Sequence, residues 1–208
     1  GDIATARRRH ADAADHWERI GDPGHATSAL ADRALAEFAA GAFDAAGATF
    51  AAVLARSVPA PDELNLTRAL DGAALLAGRR GDCHRAARLG AAAAAERARL
   101  GVDPVRPAGR ALHEREAAAW RATLGDAAFA AATDDGSVLA IDAAVAEATA
   151  ILAPETAAGA SARFGLTRRE GEVLRALAGG APDREIAAAL FIERPTAPKH
   201  APPLLAKL

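Results

Sequence analysis

The sequence predicts an all-α fold, and three features support this prediction. Of the 208 residues, 63 are alanine, which has the highest helix propensity of any residue. Aromatic residues make up only 4% of the chain, so the side chains that favour strands are too few for a β-rich fold. A short sequence motif that begins with glycine recurs every 40 residues, as is typical of stacked helix pairs. We therefore expect helices that pack at short range through small side chains.

The length allows one large domain or two small ones. No stretch approaches about 18 uninterrupted apolar residues and none looks like a signal peptide, so we expect a cytoplasmic protein without membrane contact. Cys83 is the single cysteine, which excludes an internal disulfide and fits a reducing compartment. Because the chain begins at Gly1 in what looks like the middle of a repeat, we expect it to be a fragment or a trimmed form of a longer chain.

The charge is distributed unevenly along the chain. The net charge is −2, but residues 163–208 carry +3 and the remainder carries −5. The chain therefore divides into an acidic body and a mildly basic C-terminal tail.

The recurring motif begins at Gly1, Gly41 and Gly81. We expect one helix to end and the next to begin within each copy of this motif. Glycine can adopt the left-handed conformation that closes a helix, and Asp2 or Asp82 can accept backbone N–H bonds where the following helix begins. Each 40-residue period has room for two helices.

The second period shows this division most clearly. Its first helical face is formed by Phe43, Ala46, Phe50, Val53 and Leu54. The prolines of Pro59-Ala60-Pro61 then interrupt the helix. A second helical face follows, formed by Leu66, Leu70, Ala73 and Ala77. The unit is therefore a helix, a break and a helix.

This unit resembles the tetratricopeptide-like helical repeats, whose glycine-acid-aromatic turn and small residues allow antiparallel helices to nest. Its period is longer than the usual length of about 34 residues, and the tryptophan, tyrosine and proline markers are mostly missing. A generic array of alanine-rich helix pairs explains the same residues equally well. Both interpretations predict a solenoid-like helical-repeat region over residues 1–152, which would serve to dock a protein partner or a signal.

The last third of this region is expected to be less regular. A proline-containing loop over 102–107 should precede a helix with Leu112, Trp120 and Leu124 on one face. Gly125 should open a short helix through Phe129. Residues 133–137 are expected to form a turn, and residues 141–152 a further helix. Residues 153–163, rich in small and polar residues, are a predicted linker.

Residues 166–192 contain the most informative pattern in the chain. Thr167 and Glu170 have the spacing of a capping box, in which each side chain satisfies a backbone N–H of the first helical turn. A buried stripe follows, formed by Leu166, Val173, Leu174 and Leu177. Gly179 and Gly180 end this helix. A second short helix is expected over 184–192, after a tight turn.

This pattern resembles the LuxR-type helix-turn-helix, whose markers include Leu-Thr-x-Arg-Glu-x-Glu-Val-Leu and Arg-Glu-Ile-Ala. The resemblance implies a small helical DNA-binding domain over 164–208, in which the next helix would enter the major groove of double-stranded DNA. It also implies a transcriptional regulator, since the element order over 102–152 looks like the stretch that precedes this domain in large multidomain LuxR-type regulators. By the same resemblance, the candidate DNA-binding residues are Arg184, Thr196, Lys199, His200 and Lys207, and a homodimer is the candidate assembly.

The expected recognition helix departs from the family pattern at three prolines. Pro198 replaces a lysine that faces DNA, and Pro202 and Pro203 fall in the middle of the helix. An interior proline costs about 3 kcal/mol, because it removes a hydrogen bond and clashes with the preceding turn. We therefore expect a recognition helix that is short, broken after about Ala201 or absent, and DNA binding that is weak or impaired. The alternative is a protein-interaction scaffold whose helix-turn-helix no longer binds DNA.

Other chemistries find no support in the sequence. The histidines lack the spacing of metal ligands, and no partner is indicated for Cys83, so neither a metal site nor a nucleophile is predicted. No phosphate-binding glycine motif occurs, and we expect no cofactor and no enzymatic activity. Trp17 and Trp120 are expected in the core. The basic run Arg7-Arg8-Arg9 is expected on a solvated helix face.

Overall fold

The computed structural model describes residues 3–60, 62–102 and 107–153. These residues form eight α-helices and no strand, which confirms the all-α class. The helices are α1 (Ile3–Arg19), α2 (Pro23–Ala39), α3 (Phe43–Ser57), α4 (Glu63–Arg79), α5 (Cys83–Leu100), α6 (Pro107–Leu124), α7 (Asp126–Ser137) and α8 (Ile141–Leu152). None of them is long and apolar enough to cross a membrane.

The first five helices begin 20 residues apart, at positions 3, 23, 43, 63 and 83. Each 40-residue period therefore contains two helices, as the sequence predicts. Gly41 and Gly81 close helices with φ of 77° and 88°, a backbone conformation that only glycine adopts without strain. A helix start thus recurs every 20 residues, twice in each 40-residue period.

Aspartate side chains cap three of these helices at equivalent positions. Oδ1 of Asp22, Asp62 and Asp82 accepts a hydrogen bond from the backbone N–H three residues later, at N···O distances of 3.0, 3.2 and 3.1 Å. The cap predicted at Asp82 is therefore confirmed, and the same device precedes α2 and α4. Each cap satisfies a backbone donor that the first helical turn leaves unpaired.

Helices α1 to α5 pack in sequence as an antiparallel array, and α2 also packs against α4. Helix α6 crosses onto α4 and α5, α7 lies along α5, and α8 packs across α3, α4 and α5. Helix α4 is consequently surrounded, and every residue from 69 to 77 is buried. The four-residue apolar face predicted for α4 is correct, but the buried surface extends around the whole helix.

Small residues allow this packing. A Cβ atom at Gly72 would overlap the ring of Phe50, and one at Gly136 would overlap the backbone oxygen of Arg88. These glycines therefore mark the close approaches of α3 to α4 and of α5 to α7. The buried alanines of α2, α4 and α5 have the same effect over a larger area.

One element of the sequence prediction is wrong. Residues 133–137 are not a turn, because α7 continues from Asp126 to Ser137 rather than ending near Phe129. Within this helix, the Thr133 side chain donates from Oγ1 to the backbone oxygen of Phe129, one turn earlier, at 3.1 Å. The local sequence favours a break at the last turn of α7. The packing of Gly136 against α5 stabilises this turn as a helix instead.

The chain divides into two compact units, Gly1–Pro154 and Glu155–Leu208. The finer division predicted from the sequence, with a linker over 153–163 and a domain over 164–208, stays a prediction. The tetratricopeptide-like nature of the repeats also stays a prediction, with which the helix pairs are consistent.

Candidate functional site

A groove bordered by α1, α2, α4 and α6 is the candidate site in the described part of the chain. Its cavity volume is about 410 Å³, which lies within the range of small-molecule sites, roughly 300 to 1,000 Å³. The groove is lined by Ala6, His10, Asp32, Leu35, Ala36, Ala39, Phe50, Arg68, Asp71, Gly109, Ala111, Leu112, His113 and Arg115.

Helix periodicity places the lining side chains on facing helices. Leu35, Ala36 and Ala39 lie within one turn of α2, and Arg68 and Asp71 are three residues apart on α4. Because α2 packs directly against α4, these two sets of side chains border the same space. Leu112 of α6 adds an aliphatic wall. The groove therefore combines an apolar surface with a small number of charged groups.

The charged groups of the groove wall are paired. Arg68 Nη2 donates to Asp32 Oδ1, and the two side chains are only 14% and 10% exposed. Arg68 Nη1 also donates to the Ser28 oxygen at 3.1 Å. Asp71 accepts from Arg97 of α5, and its side chain is 7% exposed. These pairs join α2, α4 and α5, and each of the two carboxylates has an arginine as its counterion.

A second, wider depression lies where the α1–α2 turn meets the α3–α4 turn. Its volume is about 670 Å³, but it is more open to solvent than the groove. The buried Asn65 forms part of it: Nδ2 donates to the Gly24 oxygen at 3.2 Å, and Oδ1 accepts from Ser28 Oγ at 3.1 Å. Since these hydrogen bonds join neighbouring helix pairs, we regard this depression as structural.

Metal-binding and nucleophilic groups are not assembled in the part of the chain that the structure describes. Within it, no three histidine, cysteine, aspartate or glutamate side chains are placed to hold a metal ion. Cys83 is buried as a free thiol at the start of α5, whereas the adjacent His84 is exposed. A Cys-His pair is therefore not formed by these two neighbours.

The two tryptophans differ in environment. Trp120 is 5% exposed and lies in the core, as predicted. Trp17 is only partly buried and is not a core residue, so that prediction is wrong. Its indole stacks on the His25 imidazole with ring centroids 4.6 Å apart. Trp17 therefore covers the α1–α2 turn, because the turn brings the end of one helix against the start of the next.

The basic run of α1 is partly structural. Arg7 Nη2 lies 3.9 Å from Oε1 of Glu37, a fully buried carboxylate that also accepts from Arg33 and Thr49. Arg8 and Arg9 are exposed, as the sequence predicts. The run thus supports the packing of α1 on α2 at one position and is solvated at the others.

In the part of the chain that the structure describes, two carboxylates have a pKa below the ordinary value. The backbone N–H of His25 donates to Asp22 and lowers the pKa of that carboxyl. Hydrogen bonds from Arg99 lower the pKa of Glu96, and the same pair, with Glu63 nearby, raises the pKa of Arg99. Both effects stabilise helix ends and surfaces, and neither is at the groove.

The candidate DNA-binding residues Arg184, Thr196, Lys199, His200 and Lys207 lie outside the described residues, as do the three prolines of the expected recognition helix. The groove, in turn, was missed by sequence reasoning. Its lining comes from residues more than 100 positions apart, from Ala6 to Arg115, and their individual patterns are those of ordinary helix faces. No local motif could have indicated it.

Residues 165–208 match the family described as "Bacterial regulatory proteins, luxR family" (GerE). Comparisons with curated proteins and with solved structures gave no match. The family match covers the segment in which the sequence predicts a helix-turn-helix. It supports a LuxR-family helix-turn-helix domain over residues 165–208.

Proposed function

We propose that this chain, whose residues 165–208 carry a LuxR-family helix-turn-helix domain, acts in a transcriptional regulator in which helical repeats receive a protein partner or a signal. The family match is the observation that carries the proposal. The basic tail adds support, because Lys and Arg side chains provide the electrostatic attraction to phosphates. In this role the chain acts in the cytoplasm and has no enzymatic activity of its own.

Double-stranded DNA is the proposed partner of the tail, through Arg184, Thr196, Lys199, His200 and Lys207. The proposed interaction is weak, because Pro198, Pro202 and Pro203 stand where the family has a continuous recognition helix. Without a rigid helix in the major groove, phosphate contacts remain while base readout is lost. Dimer formation on DNA is part of this proposal, since the binding free energies of two half-sites add in a dimer.

The test is a fluorescence anisotropy titration of a labelled duplex with the whole chain at several salt concentrations. We expect the logarithm of the affinity to fall linearly with the logarithm of the salt concentration. Lys199→Ala should weaken binding and reduce the salt slope by about one. Arg9→Ala, which removes an exposed charge from α1, is the matched control and should change neither quantity. Absence of salt-sensitive binding would overturn the proposal.

The three prolines also favour a second candidate function, a protein-interaction scaffold whose helix-turn-helix no longer binds DNA. The two functions differ in the titration, because a scaffold does not respond to duplex DNA at any salt concentration. They share the same helical repeats and differ only in what the tail does.

A further inference from the structure

The groove between α2, α4 and α6 has the properties of a small-molecule site. Its volume of about 410 Å³ accommodates a compact organic ligand. Its apolar surface comes from Leu35, Ala36 and Leu112, which are contributed by two different helices. A ligand with an apolar body would remove this surface from water, and the burial would favour binding.

The charges of the groove restrict what the ligand can be. Asp32 is paired with Arg68, and Asp71 with Arg97, so each deep carboxylate already has a cation. At the exposed side of the groove, Arg115 Nη2 lies 2.9 Å from Glu116 Oε1. A charged ligand that reaches the deep side of the groove would have to break one of the two mostly buried pairs or remain without a counterion, and both cost free energy. The Arg115–Glu116 pair is 70% and 22% exposed and contributes little to this restriction.

An uncharged ligand avoids this cost and still finds hydrogen-bonding partners. The imidazoles of His10 on α1 and His113 on α6 line the groove, and each can both donate and accept. Hydroxyl, amide or aromatic amine groups match such partners without adding charge. The structure of the groove therefore favours a ligand with an apolar body and a few uncharged polar groups.

We infer that this groove binds an uncharged amphipathic small molecule, and that it is the place where the repeats receive a signal. This inference rests on the proposed function, because it names the chemical class of the signal for which the repeats are proposed. It assigns ligand recognition to α1, α2, α4 and α6, and none to the helix-turn-helix segment.

The experiment uses two fluorescent probes that share one aromatic body. N-phenyl-1-naphthylamine is uncharged and carries a single N–H donor, and its 8-sulfonate derivative carries a negative charge. Fluorescence titration of the whole chain should show saturable binding of the uncharged probe. The sulfonate should bind at least about tenfold more weakly, because its charge meets no unpaired arginine among the described residues that line the groove.

Variants locate the binding. Ala36→Leu and Ala39→Phe place larger side chains in the groove from α2 and should each weaken binding of the uncharged probe by about tenfold or more. Ala55→Phe adds the same ring as Ala39→Phe at an exposed position of α3 outside the groove and should leave binding unchanged. Circular dichroism of each variant checks that the helices are retained, and Ala39→Phe, at an exposed position, keeps the test valid if Ala36→Leu unfolds.

Two results would overturn the inference: equal or tighter binding of the sulfonate, or unchanged binding of the uncharged probe in folded groove variants. Neither result depends on DNA. If the chain does not bind the uncharged probe but binds duplex DNA in a salt-sensitive way, the groove assignment is wrong and the regulator proposal stands. If the chain binds the uncharged probe but not duplex DNA, the regulator proposal is wrong and the groove is a ligand site in a scaffold.

Discussion

Trp120 of α6 lies against Gly78 of α4, and its indole occupies the space that a Cβ atom at position 78 would need. Trp120 is almost fully buried, so it has no free volume into which to move. Helix α6 is therefore held on the repeat array by a contact that requires glycine. The same helix forms one wall of the groove.

Gly78→Ala should destabilise the helical array by about 2 kcal/mol, since overpacking costs more than the gain in helix propensity. Chemical denaturation followed by circular dichroism measures the change. Gly47→Ala is the matched control, because a Cβ there would lie 3.5 Å from Leu76 Cδ1, an ordinary contact. That control should be neutral or slightly stabilising. Equal effects of the two substitutions would contradict the close approach of α6 to α4.

Asn65→Ala should cost about 1 to 3 kcal/mol, because it removes the hydrogen bonds that this buried side chain makes with the Gly24 oxygen and with Ser28 Oγ. The free energy of unfolding from urea titration is the measurement. Thr123→Ala removes an exposed hydrogen bond to the Ala119 oxygen and should stay within about 0.5 kcal/mol of the parent chain. If Asn65→Ala changes the free energy of unfolding as little as this control does, the hydrogen bonds of Asn65 with Gly24 and Ser28 do not stabilise the packing of the helix pairs.

The stability of α2 should depend on pH through Asp22. The pKa of this carboxyl is lower in the folded chain than its ordinary value of 3.8, because the His25 N–H favours the ionised form. The folded state then binds fewer protons than the unfolded state, so the stabilisation is complete above pH 3.8 and is lost as the pH falls through the lower folded pKa.

Asp22→Asn keeps a good capping residue and removes this titration. The difference in thermal midpoint between the parent chain and Asp22→Asn should therefore change between pH 5 and pH 2, to the disadvantage of the parent chain at low pH. A difference that stays constant over this range would show that Asp22 does not titrate with folding. Asp22→Ala should be less stable than Asp22→Asn at every pH.

Replacing the three prolines tests the tail directly. Pro198→Lys, Pro202→Ser and Pro203→Asn together should increase helicity and raise duplex affinity by at least about tenfold, because each interior proline costs about 3 kcal/mol of helix stability. Pro59→Ser, in the turn before α4, is the control and should leave DNA affinity unchanged. Increased helicity without increased affinity would indicate that DNA is not the partner of the tail.

Much of the fold could be predicted from the sequence because the relevant signals are local. Helices begin or end next to Gly41, Gly81 and Pro59 and at the cap of Asp82. The extension of α7 through residue 137 could not be predicted, because the contact of Gly136 with α5 outweighs a sequence that locally favours a turn. The half-buried Trp17 was misjudged for a similar reason, since burial depends on which helices surround a residue.

The candidate groove depended on the tertiary structure entirely. By itself, the sequence determined the helical class, the helix pairs and the LuxR-type segment, because propensity, capping and motif spacing act over a few neighbouring residues. Only the tertiary structure decided that α4 is surrounded, that Asp32 meets Arg68 and that α6 closes a groove over α2. These relationships depend on how helices distant in sequence pack, and packing is determined by the shapes of all the contacting faces together.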